Sequence, residues 1–138
     1  DFESGSRAML ELCMFAEGSN YQEEISVVGT ECKVECFVPG PGRFWPTHLG
    51  PAPTPKIIVS PRAPKGPHII DIPVDTKLLQ AGDHNGSTYY QHQKFQQVVL
   101  GNQQPEVTLK DGLIAVQMGM AAQEAASQAR IINFSTSK

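Results

Sequence analysis

Hydrophobic and polar positions alternate in the N-terminal third of the chain, a pattern typical of half-buried β-strands. The apolar positions of residues 6–14 recur at every second residue, and similar runs return at residues 21–28 and 33–38. Short segments rich in glycine and polar residues separate these runs. Because short strands joined by tight turns pair antiparallel, residues 1–38 are predicted to form a strand meander.

Proline dominates the middle of the chain, where residues 39–73 hold ten of the eleven prolines. Each proline removes a backbone donor and fixes φ, so this segment cannot be one regular element. Two β-branched runs, at residues 57–59 and 69–72, predict further strands within proline-rich loops. A disordered proline-rich ligand is the alternative, which the two apolar runs disfavour.

The C-terminal part has helical spacing instead. Hydroxyl residues Ser87 and Thr88 offer N-caps for a helix over residues 89–100, and Gly101 stands where a C-terminal cap belongs. Thr108 and Asp111 have the spacing of a capping box.

That capping box predicts a second helix ending near Gln128, so two helices are expected within residues 84–128. Residues 130–134 are predicted to form a last short strand. Strands followed by helices predict the α+β class, with a mostly antiparallel, open β-sheet and helices packed on one face. The other sheet face has no cover within this arrangement.

Composition narrows the classes of function. The chain has 138 residues, and 11 basic against 14 acidic residues give a formal charge of −3, which argues against a nucleic-acid partner. No apolar run approaches the roughly 18 residues of a membrane span. Three cysteines without framework spacing predict a reducing, cytoplasmic compartment. Neither a dinucleotide-binding glycine motif, a P-loop nor a metal-ligand motif is present, so no cofactor or metal is expected to bind within the chain.

The densest polar cluster lies at residues 83–87, just before Tyr90. A histidine beside an aspartate at the mouth of a helix, as in Asp83 and His84, can transfer protons or orient a sugar hydroxyl. The helix N-terminus can also hold an anion. The same residue types are those that caps and turns use, so a plain polar loop is the alternative.

Four segments carry a resemblance to a known family. Ser-Gly-Ser-Arg-Ala at residues 4–8, the sheet segment at 23–35, the helix and Gly-x-x-x-Pro link at 90–105, and Asp-Gly-Leu with its following alanines at 111–125 resemble, in order, the C-terminal domain of the Gfo/Idh/MocA oxidoreductases. The proline zone is an unmatched insert. Cys32 stands where the family usually has a turn glycine, so a strained or different turn is expected there.

The resemblance implies an NAD(P)-dependent oxidoreductase acting on a sugar, polyol or related hydroxy compound. Family members bind NAD or NADP in an N-terminal Rossmann domain, and their catalytic lysine and Asp/His pair match no motif in this sequence. Residues 1–138 are therefore expected to be a single partial domain, the later part of the C-terminal domain, with no activity alone. Its first partner would be the Rossmann domain of the same polypeptide.

The resemblance also implies that the open sheet face contacts a second subunit, giving a homo-oligomer, and that residues 83–90 face the substrate cleft. Asp83, His84 and Tyr90 are the predicted substrate contacts, with Asp83 orienting His84, and no catalytic role is assigned. The alternative is a non-catalytic binding or regulatory module that docks a partner on the open sheet face.

Overall fold

The computed structural model describes residues 1–16 and 18–134. Within these residues, four strands form one open, fully antiparallel sheet in the order β1-β2-β3-β4, accompanied by three α-helices, which confirms the α+β class. The strands are β1 Glu23–Val28, β2 Cys32–Val38, β3 Lys56–Pro61 and β4 His68–Asp71. The helices are α1 Thr76–Ala81, α2 Ser87–Val99 and α3 Leu109–Gln128, with 3₁₀ turns at Gly42–Phe44, Thr47–Leu49 and His84–Gly86.

Strand register gives the sheet one largely apolar face and one face on which charged and apolar residues are mixed. Alternate residues of each strand lie on the same face, so the pairing defines rows that cross the sheet. One face carries the rows Ile25, Cys36, Ile57, Ile70 and Val27, Val34, Val59, His68. The opposite face carries the row Glu24, Phe37, Lys56, Asp71 and, beside it, a 2.7 Å ion pair between Lys33 and Glu35.

The apolar face is open. Ile25 is 64% exposed, Val27 60% and Ile70 48%, and no hydrophobic side chain among the described residues is fully buried. A contiguous apolar face of this kind marks an interaction surface in soluble proteins. Within the described ranges, no helix is long and apolar enough to cross a membrane.

The strand predicted at residues 6–14 is wrong. Residues 1–16 contain no strand, and Leu10 and Leu12 are 89% and 78% exposed. Alternating polarity shows which positions would share a face, but a strand also needs a neighbouring backbone to complete its hydrogen bonds. The last strand predicted at residues 130–134 is wrong for the same reason.

The turns of the N-terminal region are partly as predicted. Ser19 N–H donates to the Ala16 carbonyl at 2.9 Å, although Glu17 within that turn lies outside the described residues. The β1–β2 hairpin closes with a 2.9 Å hydrogen bond from Gly29 N–H to the Cys32 carbonyl. Cys32 opens β2 without the positive φ that would penalise it, so the hairpin does not need a glycine there.

Helix α1 was not predicted from the sequence. Its six residues are too few to display a helical apolar period. The Asp75 carboxylate caps it, accepting from Lys77 N–H at 2.7 Å. This helix follows the last proline of the proline-rich segment and leads directly into the polar cluster at residues 83–87.

The predicted capping signals at the end of α2 and the start of α3 are confirmed, whereas Ser87 and Thr88, predicted as N-caps, lie within the first turn of α2. Gly101 has φ +77°, and Asn102 N–H donates to the Gln97 carbonyl at 2.9 Å, as in a Schellman motif at the end of α2. The chain divides into two compact units, residues 1–90 and 91–138, the second described to residue 134. Helix α2 begins in the first unit and ends in the second.

Helix α3 begins with the predicted capping box. Thr108 Oγ1 accepts from Asp111 N–H at 3.2 Å, and the Asp111 carboxylate accepts from Thr108 N–H at 2.8 Å. The Thr108 hydroxyl also donates to that carboxylate, and these hydrogen bonds lower the pKa of Asp111. Replacing Thr108 removes both side-chain contacts of the cap.

Thr108→Ala is expected to lower the free energy of unfolding by about 1 kcal/mol, measured by urea denaturation. Thr88→Ala is the matched control, because Thr88 lies in the first turn of α2 and is exposed. If Thr108→Ala and Thr88→Ala lower the free energy of unfolding equally, the capping box contributes nothing to stability.

Candidate functional site

The polar loop before α2 has an unusual backbone. Three consecutive residues lie in the left-handed region: His84 with φ +59°, Asn85 with φ +52° and Gly86 with φ +84°. A residue other than glycine costs roughly 1–2 kcal/mol in this conformation. Such strain persists where surrounding contacts determine the conformation, and it concentrates at functional sites.

Three side-chain contacts hold this loop. Both carboxylate oxygens of Asp83 accept from the Arg43 guanidinium, one of them at 2.9 Å from Nη2. His84 Nδ1 lies 2.8 Å from Glu23 Oε1. Asn85 Nδ2 donates to the Pro39 carbonyl at 2.8 Å.

These contacts fix the loop to one end of the β1–β2 hairpin. Glu23 begins β1 and is paired with Val38, the last residue of β2, and Pro39 follows directly. Arg43 belongs to the 3₁₀ turn just beyond. Consecutive loop residues are therefore anchored to three separate points of the first unit.

The predicted orientation of His84 by Asp83 is not what the structure shows. Asp83 makes its hydrogen bonds to Arg43, and the carboxylate beside His84 is that of Glu23. The bidentate pair with Arg43 lowers the pKa of Asp83 and raises that of Arg43, chiefly through the side-chain hydrogen bond. Sequence reasoning missed Glu23 and Arg43, which lie 61 and 40 residues from their partners.

Gly86 sits at the tightest point of the loop. It is buried, and a Cβ atom built there would lie 3.3 Å from Leu78 Cδ1 and 3.7 Å from Tyr90 Cε2. Tyr90 stands four residues further along, on α2, and forms an edge-to-face pair with Tyr89 at 5.5 Å between ring centroids. Tyr90 is 50% exposed, so its ring remains accessible.

A cleft of about 630 Å³ opens beside the loop, within the size range of small-molecule sites. Arg43 and Asn85 line it, whereas Asp83, His84 and Tyr90 do not. The remaining lining comes from the proline-rich segments and α1: Gly40, Gly42, Ala52, Pro53, Thr54, Pro55, Pro73, Val74, Leu79 and Gln80. The structure thus separates the cleft lining from the three predicted contacts, which adjoin it in the chain.

The described helix starts do not fit a dinucleotide. A pyrophosphate requires open backbone N–H groups at a helix N-terminus after a glycine-rich turn. The carboxylates of Asp75 and Asp111 already accept N–H groups at the starts of α1 and α3, and their charge would repel phosphate. Before α2, Gly86 is buried against Leu78, which closes that approach.

The Asp83–Arg43 pair predicts a stability loss in acid. Because the folded-state pKa of Asp83 is lowered, the pair stabilises the fold above the usual aspartate pKa of 3.8, and the contribution is lost as the pH falls through the folded value. In Asp83→Asn, the free energy of unfolding is expected to fall less steeply than in the parent protein as the pH drops from the usual aspartate pKa to the folded-state pKa of Asp83. Glu11→Gln is the control, and a slope unchanged in Asp83→Asn would contradict the assignment.

Comparison with known proteins agrees with this architecture. No curated protein matches the chain. A protein-family profile described as "Oxidoreductase family, C-terminal alpha/beta domain" matches residues 1–134, which is nearly the whole sequence. The chain therefore belongs to the Gfo/Idh/MocA oxidoreductase family and corresponds to its C-terminal α/β domain.

Proposed function

We propose that this chain is the substrate-side and assembly part of an NAD(P)-dependent oxidoreductase acting on a sugar, polyol or related hydroxy compound. The observation that carries the proposal is the left-handed loop at His84–Gly86, which is held by contacts to Glu23, Pro39 and Arg43. Strained backbone fixed from several directions is typical of binding sites. Family membership supplies the class of chemistry.

The proposed substrate contacts are side chains that remain accessible. His84 and Tyr90 are each about half exposed and offer an imidazole nitrogen and a phenol, both suited to sugar hydroxyls. Asp83 contributes to substrate binding indirectly, because its carboxylate holds the Arg43 side chain, which lines the cleft. The nicotinamide cofactor, NAD or NADP, would be held by the Rossmann domain of the same polypeptide and would accept the substrate's hydride. The residues of this chain bind and orient the hydroxy compound.

The apolar sheet face is the proposed assembly surface of a homo-oligomer. Its aliphatic residues on β1 and β4 are exposed, whereas the opposite face mixes charged residues and an ion pair with the exposed Val28 and Ile69. Burying such a face against a second copy removes apolar surface from water. All three cysteines are free thiols, which suits a reducing, cytoplasmic compartment.

Val27→Asp is expected to weaken self-association of the full-length protein at least about tenfold, because the interface would bury an unpaired charge. Sedimentation velocity over a concentration series measures the dissociation constant. Ser26 is the neighbour of Val27 in β1 and lies on the opposite sheet face, so Ser26→Asp introduces the same charge there and serves as the control. An unchanged association constant in Val27→Asp would remove this face from the interface.

The same open face also supports a second function, that of a non-catalytic module binding a different protein. The two are separated by assaying the full-length protein with aldoses, cyclic polyols and hydroxy acids, each with NAD⁺ or NADP⁺, while following nicotinamide reduction. Turnover of one hydroxy compound supports the oxidoreductase. If no compound of the panel is turned over and none raises the melting temperature of the protein, the oxidoreductase function is contradicted and the binding module is favoured.

A further inference from the structure

The contact between His84 and Glu23 determines which imidazole nitrogen carries the proton. An ionised carboxylate accepts hydrogen bonds and donates none. Because His84 Nδ1 lies 2.8 Å from Glu23 Oε1, Nδ1 must be the protonated nitrogen. In the neutral ring, the lone pair then lies on Nε2. An unconstrained neutral histidine in water instead favours the tautomer with its proton on Nε2.

The backbone of the residue that carries this carboxylate belongs to the sheet. Glu23 is the first residue of β1, in register with Val38 of β2, and it shares a sheet face with Ile25. Asn85, the next residue of the loop, is bonded to the Pro39 carbonyl at the end of the neighbouring strand. The imidazole is therefore contacted by a residue of the sheet, and groups supported by regular elements are positioned more precisely than groups on loops alone.

The accessible part of the ring fits a role as hydrogen-bond acceptor. The His84 side chain is 49% exposed although Nδ1 is engaged. With its proton on Nδ1, the imidazole presents Nε2 as an acceptor for a hydroxyl proton. Asp83, the adjacent carboxylate, is occupied by Arg43 and does not compete for the ring.

We propose that Glu23 is a positioning residue, which holds neutral His84 in the Nδ1–H tautomer so that Nε2 accepts a hydrogen bond from a substrate hydroxyl. This inference rests on the proposed function, in which His84 contacts the substrate. The role of Glu23 is exerted entirely through the histidine ring. It needs no contact between Glu23 and the substrate.

Nitrogen-15 NMR of histidine-labelled full-length protein tests the tautomer directly, at a pH where titration shows the ring to be neutral. The His84 resonances, assigned by their loss in His84→Gln, are expected to show protonated Nδ1 and unprotonated Nε2. In Glu23→Ala, the Nε2 resonance is expected to move to the protonated range. Glu23→Gln should retain the Nδ1–H form, because its amide oxygen still accepts.

Glu24→Ala is the matched control, since Glu24 is the next residue of β1 and lies on the opposite sheet face. Identical tautomers in Glu23→Ala and the parent protein, or an Nε2–H form in the parent, would overturn the inference. The proposed function fails separately, if His84→Ala leaves the kinetics of the full-length enzyme unchanged. Retention of the parent tautomer in Glu23→Gln shows that the site is still folded when the charge is removed.

Discussion

His84→Ala is expected to lower kcat/KM of the full-length enzyme by about 10- to 100-fold, while the affinity for the nicotinamide cofactor stays unchanged. The substitution removes the ring that Glu23 orients and leaves a substrate hydroxyl without its partner. Leaving a hydroxyl that binding removes from water without its hydrogen-bond partner costs about 1–3 kcal/mol, which corresponds to that range. Steady-state kinetics and cofactor titration measure the two quantities independently.

The separate effects of His84→Ala on kcat and on KM would show how His84 acts. A raised KM alone indicates a contact made equally in the ground and transition states, whereas a lowered kcat indicates an interaction that strengthens during reaction. His48→Ala is the control, because His48 is an exposed residue of the 3₁₀ turn Thr47–Leu49. If His48→Ala and His84→Ala behave alike, His84 does not contact the substrate.

Much of the fold could be predicted because the relevant signals are local. Period-two alternation located β1 and β2, β-branched runs located β3 and β4, and the Thr108–Asp111 spacing located the start of α3. Residues 6–14 show the limit of this reasoning. Their alternation is as regular as that of β1, but pairing depends on a neighbouring strand, which no local pattern encodes.

The candidate site was predictable only in part. Residues 83–90 were identified because a dense cluster of polar turn residues precedes a predicted helix, but the left-handed backbone of His84, Asn85 and Gly86 was not predicted. The partners Glu23, Pro39 and Arg43 carry no such signal, because each is brought to the loop by the course of the chain. A glutamate at the start of a strand looks like any solvated residue until the fold places a histidine beside it.

The loop itself is expected to be the most substitution-sensitive part of the first unit, and Gly86→Ala tests this. Gly86 has φ +84°, where an alanine costs roughly 1–2 kcal/mol in backbone strain. The new methyl group would also lie 3.3 Å from Leu78 Cδ1, closer than ordinary van der Waals contact, so that Leu78 must move. Overpacking adds a cost of about 1–3 kcal/mol, so the free energy of unfolding is expected to fall by about 2–5 kcal/mol.

Gly119→Ala is the matched control for that loss. Gly119 lies inside α3, and a Cβ there meets nothing within 4 Å, so alanine is expected to stabilise the helix by about 0.5–1 kcal/mol. Chemical denaturation of both variants measures effects of opposite sign. A Gly86→Ala protein as stable as the parent would show that the left-handed turn does not require a glycine at this position. Because the turn precedes α2 directly, the left-handed conformation of Gly86 joins the folding of the loop to the placement of His84 and Tyr90.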